Sequence, residues 1–201
     1  AAAAASDGST LVVLSQVPPG FTRKLSKTLK EDYGDRGIEL FCQVETLVFG
    51  NAVERAANPE RIIVGCPDPA SGPSVPYTGM LESFDCPVLT MGYESAELAK
   101  ISINMCLVSS VSVANTMAEL CELVGADWSE IAPAVKLDRR IGRYAYLSPG
   151  LGLSGGNVER DLATVAGLAA EFGTDAGIVE AWLVNSRHRR DWALRTIHAT
   201  L

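Results

Sequence analysis

The sequence predicts an α/β layer followed by an all-α region. Three short apolar, β-rich runs alternate with helical stretches in the first ninety residues. A proline-free stretch from Glu94 to Val124 then has the pattern of one long helix. The helical segments after it have no strand signal between them. Strands separated by helices point to a parallel sheet with helices on its faces.

Each element has a local reason. Leu11 to Ser15 is the first strand, broken at Pro18-Pro19-Gly20 because proline cannot continue a central strand. Phe21 to Tyr33 is polar, with Leu25 and Leu29 one helical turn apart. Ile38 to Val44 is a second strand. Ala52 to Ala57 is a short helix stopped by Asn58-Pro59, since the residue before proline avoids the helical region. Arg61 to Gly65 is a third, buried strand. Cys66 to Pro87 holds five Pro and two Gly and has the composition of a linker or domain edge. Gly125 ends the long helix. Asp127 or Ser129 can cap a short helix to about Val135. Residues 138–157 are glycine-rich and loop-like, and Asn157 to Gly173 and Ile178 to Ala199 are two further helices. The division expected is 1–92 for the α/β part and 93–201 for the central helix with its helical domain. Ala1 to Ala5, without a Met, is taken as a trimmed or tagged end and left out of the fold argument.

Composition excludes several roles. The formal net charge of −7 argues against a nucleic-acid surface, which needs a basic field. No run approaches the roughly 20 apolar residues of a membrane span, so no membrane partner is expected. Cys42, Cys66, Cys86, Cys106 and Cys121 form no CxxC pair, and most sit in apolar runs. That fits reduced thiols in a cytoplasmic protein and no metal site. His188 and His198 lie near the C-terminus, so a central histidine base is not expected.

Two stretches could carry chemistry. Glu97, Lys100, Asn104, Val108, Val111 and Asn115 recur at spacings of three and four, on one face of the long helix. Lys100 and Asn104 are one turn apart and could reach one small group in a cleft. Held that way, a lysine can orient a hydroxyl or stabilise negative charge. The same stripe also reads as a solvated Glu-Lys pair beside a satisfied, buried Asn. The second stretch, Ser148 to Asn157, is rich in glycine and ends just before a helix carrying Glu159, Arg160 and Asp161. Glycines let backbone approach a ligand, and a helix start offers free N–H groups. No strand precedes it, so it is no dinucleotide fingerprint; a plain turn with an Asn cap explains it as well. Upstream, Asp138-Arg-Arg-Ile-Gly142 holds an Arg pair that is either solvated or a phosphate contact.

Several segments, in order, resemble the UDP-glucose/GDP-mannose dehydrogenase family. Ser15-Gln-Val-Pro-Pro-Gly20 resembles its "STVPPG" strand end. Gln43-Val-Glu45, Leu47, Gly50 and Asn58-Pro-Glu-Arg-Ile-Ile-Val-Gly65 resemble "PE.L..G....NP.R.V.G". Ala96-Glu-Leu-Ala-Lys100 with Asn104 and Asn115 resembles its "AEL.K...N" helix. Arg140-Ile-Gly142, Pro149-Gly150, Gly155-Gly156 and Asp161 resemble "RIG…PG.G.GGSCFPKD". The likeness runs from about residue 11 to 170.

The resemblance implies the last strands of a Rossmann-like NAD-binding domain, followed by a long central helix and a helical dimerisation domain. The GxGxxG turn and the nucleotide domain would be missing, leaving a partial enzyme that is inactive alone. It implies NAD-dependent oxidation of the C6 hydroxyl of a nucleotide sugar, of the kind that serves polysaccharide biosynthesis, and a homodimer through the helix 94–124. Among catalytic residues, Lys100 and Asp161 would organise the hydroxyl and a water, Asn104 would hold the sugar near C6, and Glu45 matches the family's acid at the edge of the NAD domain. Arg140 would reach the nucleotide sugar of the neighbouring subunit, and Tyr146, Gly150 and Gly152 would line the nucleotide cleft. Ser15 and Gln16 would approach NAD. The family's nucleophilic Cys is absent; counting back from Asp161 puts Asn157 there, where an amide cannot form the covalent aldehyde adduct that a thiolate forms. Gln16 and Thr116 also depart from the family's Thr and Glu. Two other readings stay open: a non-catalytic dimerisation or nucleotide-sugar-sensing relative, and a dehydrogenase of the hydroxyacid and 6-phosphogluconate group, which also sets Lys and Asn one turn apart.

Overall fold

The structure is a computed structural model that describes residues 1–48 and 50–201, with Thr200 described by its backbone only. The chain forms two compact units, Ala1–Ser102 and Ile103–Leu201. The boundary falls inside the long helix.

The first unit follows the alternation the sequence predicts. Its elements are β1 (Thr10–Val13), α1 (Phe21–Tyr33), β2 (Glu39–Gln43), α2 (Ala52–Ala57), β3 (Ile62–Cys66), α3 (Val75–Glu82) and β4 (Val88–Gly92), leading into α4 (Tyr93–Val124). The strands lie in the order β1-β2-β3-β4. β1 pairs parallel with β2, and β3 parallel with β4, but β2 and β3 are antiparallel. The sheet is therefore mixed and not all-parallel. The reason lies in α2: six residues span about 9 Å at the helical rise. A strand of five residues spans about 16 Å. So α2 does not carry the chain back along the sheet before β3 begins.

Cys66 to Pro87, expected to be a linker or domain edge, contributes to the core of the first unit. It contains α3, and the strand that follows it, β4, pairs with β3 along its whole length. Pro76 falls in the first turn of α3, where its missing N–H costs nothing. The proline count therefore misled. Side chains alternate across the sheet. Phe41, Ile62, Val64 and Cys66 pack with Tyr77 and Leu81 on one face. Cys42 and Ile63 pack with Tyr93 and Ala96 on the other. Gly65 sets how close α4 comes: a Cβ there would lie 2.3 Å from Cys42 Sγ and 2.9 Å from Ala96 Cβ. The Tyr93 hydroxyl then donates to the Leu40 carbonyl at 2.5 Å, fixing the start of α4 on the sheet.

The second unit is helical: the rest of α4, then α5 (Trp128–Leu137), α6 (Gly156–Phe172), α7 (Gly177–Arg190) and α8 (Trp192–Thr200). Asp127 caps α5 by accepting the Ser129 N–H at 2.7 Å, and buried Trp128 donates its indole N–H to the Leu147 carbonyl at 2.8 Å. Gly173, at φ +68°, ends α6 in the left-handed conformation. The single helix expected over 178–199 is broken at Asp191. There Trp192 turns to donate to Glu122 at 2.9 Å and stacks under Arg189.

By length and composition α4 could cross a membrane, with a mean hydropathy of 1.4 over 18 residues. Yet it carries buried Glu97, Asn104 and Asn115, and each is hydrogen-bonded to a group from another part of the fold.

Candidate active site

β1 and β2 run side by side in the same direction, so their carboxyl ends share one edge of the sheet. Ser15 and Gln16 follow β1 there, and Glu45 follows β2. Open α/β sheets hold ligands at such edges. Ser15 is exposed, and Gln16 and Glu45 are half-buried. Glu45 folds back so that Oε1 accepts the Leu47 N–H at 2.8 Å. Three polar side chains are thus placed at one carboxyl edge of the sheet.

The start of α4 is held differently from the solvated Glu-Lys pair the sequence allowed. Glu97 is buried. Its carboxylate accepts the N–H of Gly20 at 2.6 Å and of Thr22 at 2.7 Å, at the first turn of α1. Beside it, Arg23 forms a two-pronged pair with Glu94, Nε to Oε1 at 2.9 Å and Nη2 to Oε2 at 3.0 Å. Its Nη1 donates to the Pro67 carbonyl. The Arg23 bond holds the Glu94 carboxyl below the usual range. Lys100 follows three residues after Glu97 on the same helix, and Asn104 one turn later.

In the second unit, Asn104 Nδ2 donates to Asp161 Oδ2 at 2.6 Å. Both side chains are buried, at 8% and 2% exposure. Two residues 57 apart in sequence are thus brought together, and the amide reads as a partner of the carboxylate, not as a passive core residue. Asn157 lies one turn before Asp161 on α6, exposed, with Oδ1 accepting from Arg160 Nη2 at 3.2 Å. It is not the helix cap: Gly155, at φ +115°, takes that place.

The glycine loop is gripped from two helices. The Gly150 N–H donates to Asn115 Oδ1 at 2.7 Å, and the Gly150 carbonyl accepts from Arg189 Nε at 3.0 Å. The Leu153 N–H donates to Ser186 Oγ at 2.8 Å. Gly152 sits at φ +89°, with the Ser186 carbonyl 2.6 Å from where a Cβ would lie. Arg189 is buried, and Glu119 and Glu122 face its guanidinium at 3.6 and 4.0 Å. Glu119 also takes His188 and Arg195; burial works against its charge, but the bonds from His188 and Arg195 outweigh it and leave its carboxyl below the usual range. Ser186 and Arg189 carry no sequence signal, because the Arg-rich end of α7 reads only as cations at a helix C-terminus. Arg140 projects into solvent, braced two-pronged by Asp138 at 3.0 and 2.6 Å, and Tyr146 is half exposed. Among the described residues no group of three or more His, Cys, Asp or Glu could hold a metal.

This pairing of the α4 amide, the α6 carboxylate and the gripped glycine loop lies within a segment that matches a known family. Residues 94–187 match the model of the UDP-glucose/GDP-mannose dehydrogenase family, central domain. That segment is assigned to the central domain of this family. It is 29% identical over 186 residues to UDP-glucose 6-dehydrogenase TuaD of Bacillus subtilis, covering 92% of this chain and 40% of that protein. It is 30% identical over 186 residues to a UDP-glucose 6-dehydrogenase of Rickettsia bellii, covering 89% and 41%. Among solved structures, a UDP-glucose dehydrogenase of Pyrobaculum islandicum superposes with a TM-score of 0.78 at 30% identity, covering 89% and 41%. A UDP-D-ManNAc dehydrogenase of Pyrococcus horikoshii, at 18% identity, shares the fold with a TM-score of 0.81 over 98% of this chain and 46% of that one. The chain spans about two fifths of the length of the curated relatives it matches. The mixed sheet, long central helix and helical region are thus those of the nucleotide-sugar dehydrogenases.

Proposed function

We propose that this chain supplies the catalytic centre of an NAD-dependent dehydrogenase that oxidises the C6 hydroxyl of a nucleotide sugar such as UDP-glucose. The observation that carries the proposal is the buried Asn104–Asp161 bond, with Lys100 one turn before Asn104 on α4. Lys100 and Asp161 are a cation and an anion suited to orient a hydroxyl and a water and to move its proton. Asn104 fixes the orientation of the Asp161 carboxylate and the sugar near C6. Arg140, braced by Asp138 and projecting outward, suits the nucleotide sugar held by a neighbouring subunit. The gripped Gly150–Gly152 turn and Tyr146 suit the wall of the nucleotide cleft. Ser15, Gln16 and Glu45 line the edge nearest the cofactor. NAD, when bound, supplies the hydride acceptor.

The proposal extends to a homodimer through α4 and to cytoplasmic work without a membrane or nucleic acid. Val113, Met117, Leu120 and Val124 are 52%, 38%, 47% and 66% exposed along one side of α4. Their spacing of four, three and four is that of a coiled-coil seam. The polar residues α4 buries within the fold favour a core helix over a membrane span.

One observation favours a second reading, a non-catalytic relative. Asn157 stands where the family has its nucleophilic thiol, and an amide does not trap an aldehyde. The test is NADH formation by the complete gene product with UDP-glucose, UDP-N-acetyl sugars and GDP-mannose, alongside Lys100→Ala and Asp161→Asn. Turnover that falls at least about a thousandfold in both variants supports the dehydrogenase, that factor corresponding to about 4 kcal/mol of lost transition-state stabilisation. No turnover by the unmodified protein leaves the sensing module.

A further inference from the structure

We infer that Glu97 is a positioning residue: it ties the Pro18–Gly20 turn, and with it Ser15 and Gln16, to the start of α4, which carries Lys100. The inference rests on the reading of Ser15 and Gln16 as the cofactor-facing residues.

The first turn of α1 needs acceptors, because the leading N–H groups of a helix have no partner inside it. A helix ordinarily finds one in a Ser, Thr, Asp or Asn at its own N-cap. Here the N-cap is Gly20, at φ +89°, with no side chain to offer. The acceptor comes from 77 residues further along the chain. A local cap would stabilise α1 and leave it free of α4. Glu97 instead makes the start of α1 and the start of α4 one mechanical unit.

Charge sharpens the point. The carboxylate sits at the positive end of the α1 dipole, where an anion is stabilised. Its two bonds are 2.6 and 2.7 Å long, in the range of charge-assisted hydrogen bonds. With that end of α1 taken by an internal anion, the N–H groups of Gly20 and Thr22 are already used. The turn places what precedes it. Pro18 and Pro19 fix two successive φ angles, and the Phe21 N–H donates to the Pro18 carbonyl at 3.1 Å. A shift at Gly20 is therefore passed to Gln16 and Ser15 and not absorbed. Arg23 adds ties to Glu94 and Pro67 on the other side of the same turn.

The experiment compares Glu97→Gln and Glu97→Asp with the unmodified complete gene product. Gln keeps the size but turns an NH2 group toward one of the two N–H donors; Asp keeps the charge on a shorter stem. The expected result for Glu97→Gln is a KM for NAD raised about tenfold or more, the size of one lost charge-assisted bond, with the sugar KM unchanged. Glu97→Asp is expected to recover part of that rise. A merely structural role would lower the melting temperature and leave the ratio of the two KM values alone, and that outcome overturns the inference. Should Glu97→Gln not fold, Arg23→Ala loosens the same turn from its exposed side. A raised KM for NAD there, together with slow amide exchange at Gly20 and Thr22 in the unmodified chain, supports the tie; an unchanged KM or fast exchange overturns it. If the unmodified protein reduces no NAD at all, the functional reading falls and takes this inference with it. If it does and the variants match it, only the role of Glu97 falls.

Discussion

On the proposed reading, Asn157 sets how far the oxidation goes. Its side chain lies one turn from buried Asp161 on α6, and it is exposed to whatever lies in front of that turn. A second oxidation through a covalent adduct needs a nucleophile there, and an amide nitrogen is not one. The unmodified protein is therefore expected to release about one NADH per sugar, and Asn157→Cys about two. End-point absorbance with limiting UDP-sugar reads the ratio; two NADH per sugar without a Cys would show that water serves directly.

Gly152 is a residue with no freedom to change. Its φ of +89° strains any side chain, and the Ser186 carbonyl sits 2.6 Å from the Cβ position. Gly152→Ala is expected to cost about 2–4 kcal/mol, from the left-handed penalty plus overpacking against backbone. Urea unfolding followed by circular dichroism checks it, and Gly156→Ala, with no positive φ and open space, is the less costly control.

At the scale of elements, the grip of α7 on the glycine loop makes its own prediction. Arg189→Ala removes the donor to the Gly150 carbonyl and the cation facing Glu119 and Glu122. Hydrogen bonds from charged groups contribute about 1.5–3 kcal/mol, so a loss of that size is expected. Arg189→Lys should not rescue it, because one ammonium cannot serve the carbonyl, the acids and the Trp192 face together. A shift of the urea midpoint at constant slope would confirm a local loss.

The elements also show what a sequence can and cannot reveal. α1 and the bounds of α4 were legible because their patterns are local: polar and apolar spacing for one, absence of proline with a glycine stop for the other. α3 and β4 were not, because Pro76 breaks a helix in mid-span but starts one in its first turn. The candidate catalytic residues Lys100, Asn104 and Asp161 were named from motif likeness, but the bond that joins Asn104 to Asp161 spans two helices and has no local signature. Glu97 is visible in the sequence on the right face of α4, but its partners are not. A carboxylate beside a lysine looks solvated until the uncapped helix it serves is in place. Ser186 and Arg189 escaped for the same reason.

At the scale of the whole molecule, the exposed seam of α4 is the feature that the chain itself leaves uncovered. Val113, Met117, Leu120 and Val124 line it, and exposed Cys106 lies seven residues before Val113 on the same stripe. A heptad places Cys106 and Val113 at equivalent positions. If a second copy packs there, the thiol is shielded in the dimer and open in the monomer. Burial pushes the Cys42 and Cys66 thiols up to about 11, so neither competes for reagent at neutral pH. Such a raised value also fixes the alkaline limb of stability. The neutral buried thiols favour the fold below the ordinary thiol range, and that contribution is lost as the pH rises through about 11. Met117→Glu sets a charge in the seam without touching the buried face of α4. It is expected to convert a dimer to a monomer by light scattering at micromolar concentration and to speed maleimide labelling of Cys106. A native monomer would remove the dimer, and Cys106 labelling equally fast in both proteins would place the dimer contact elsewhere on the chain; either outcome returns α4 to the role of an internal strut.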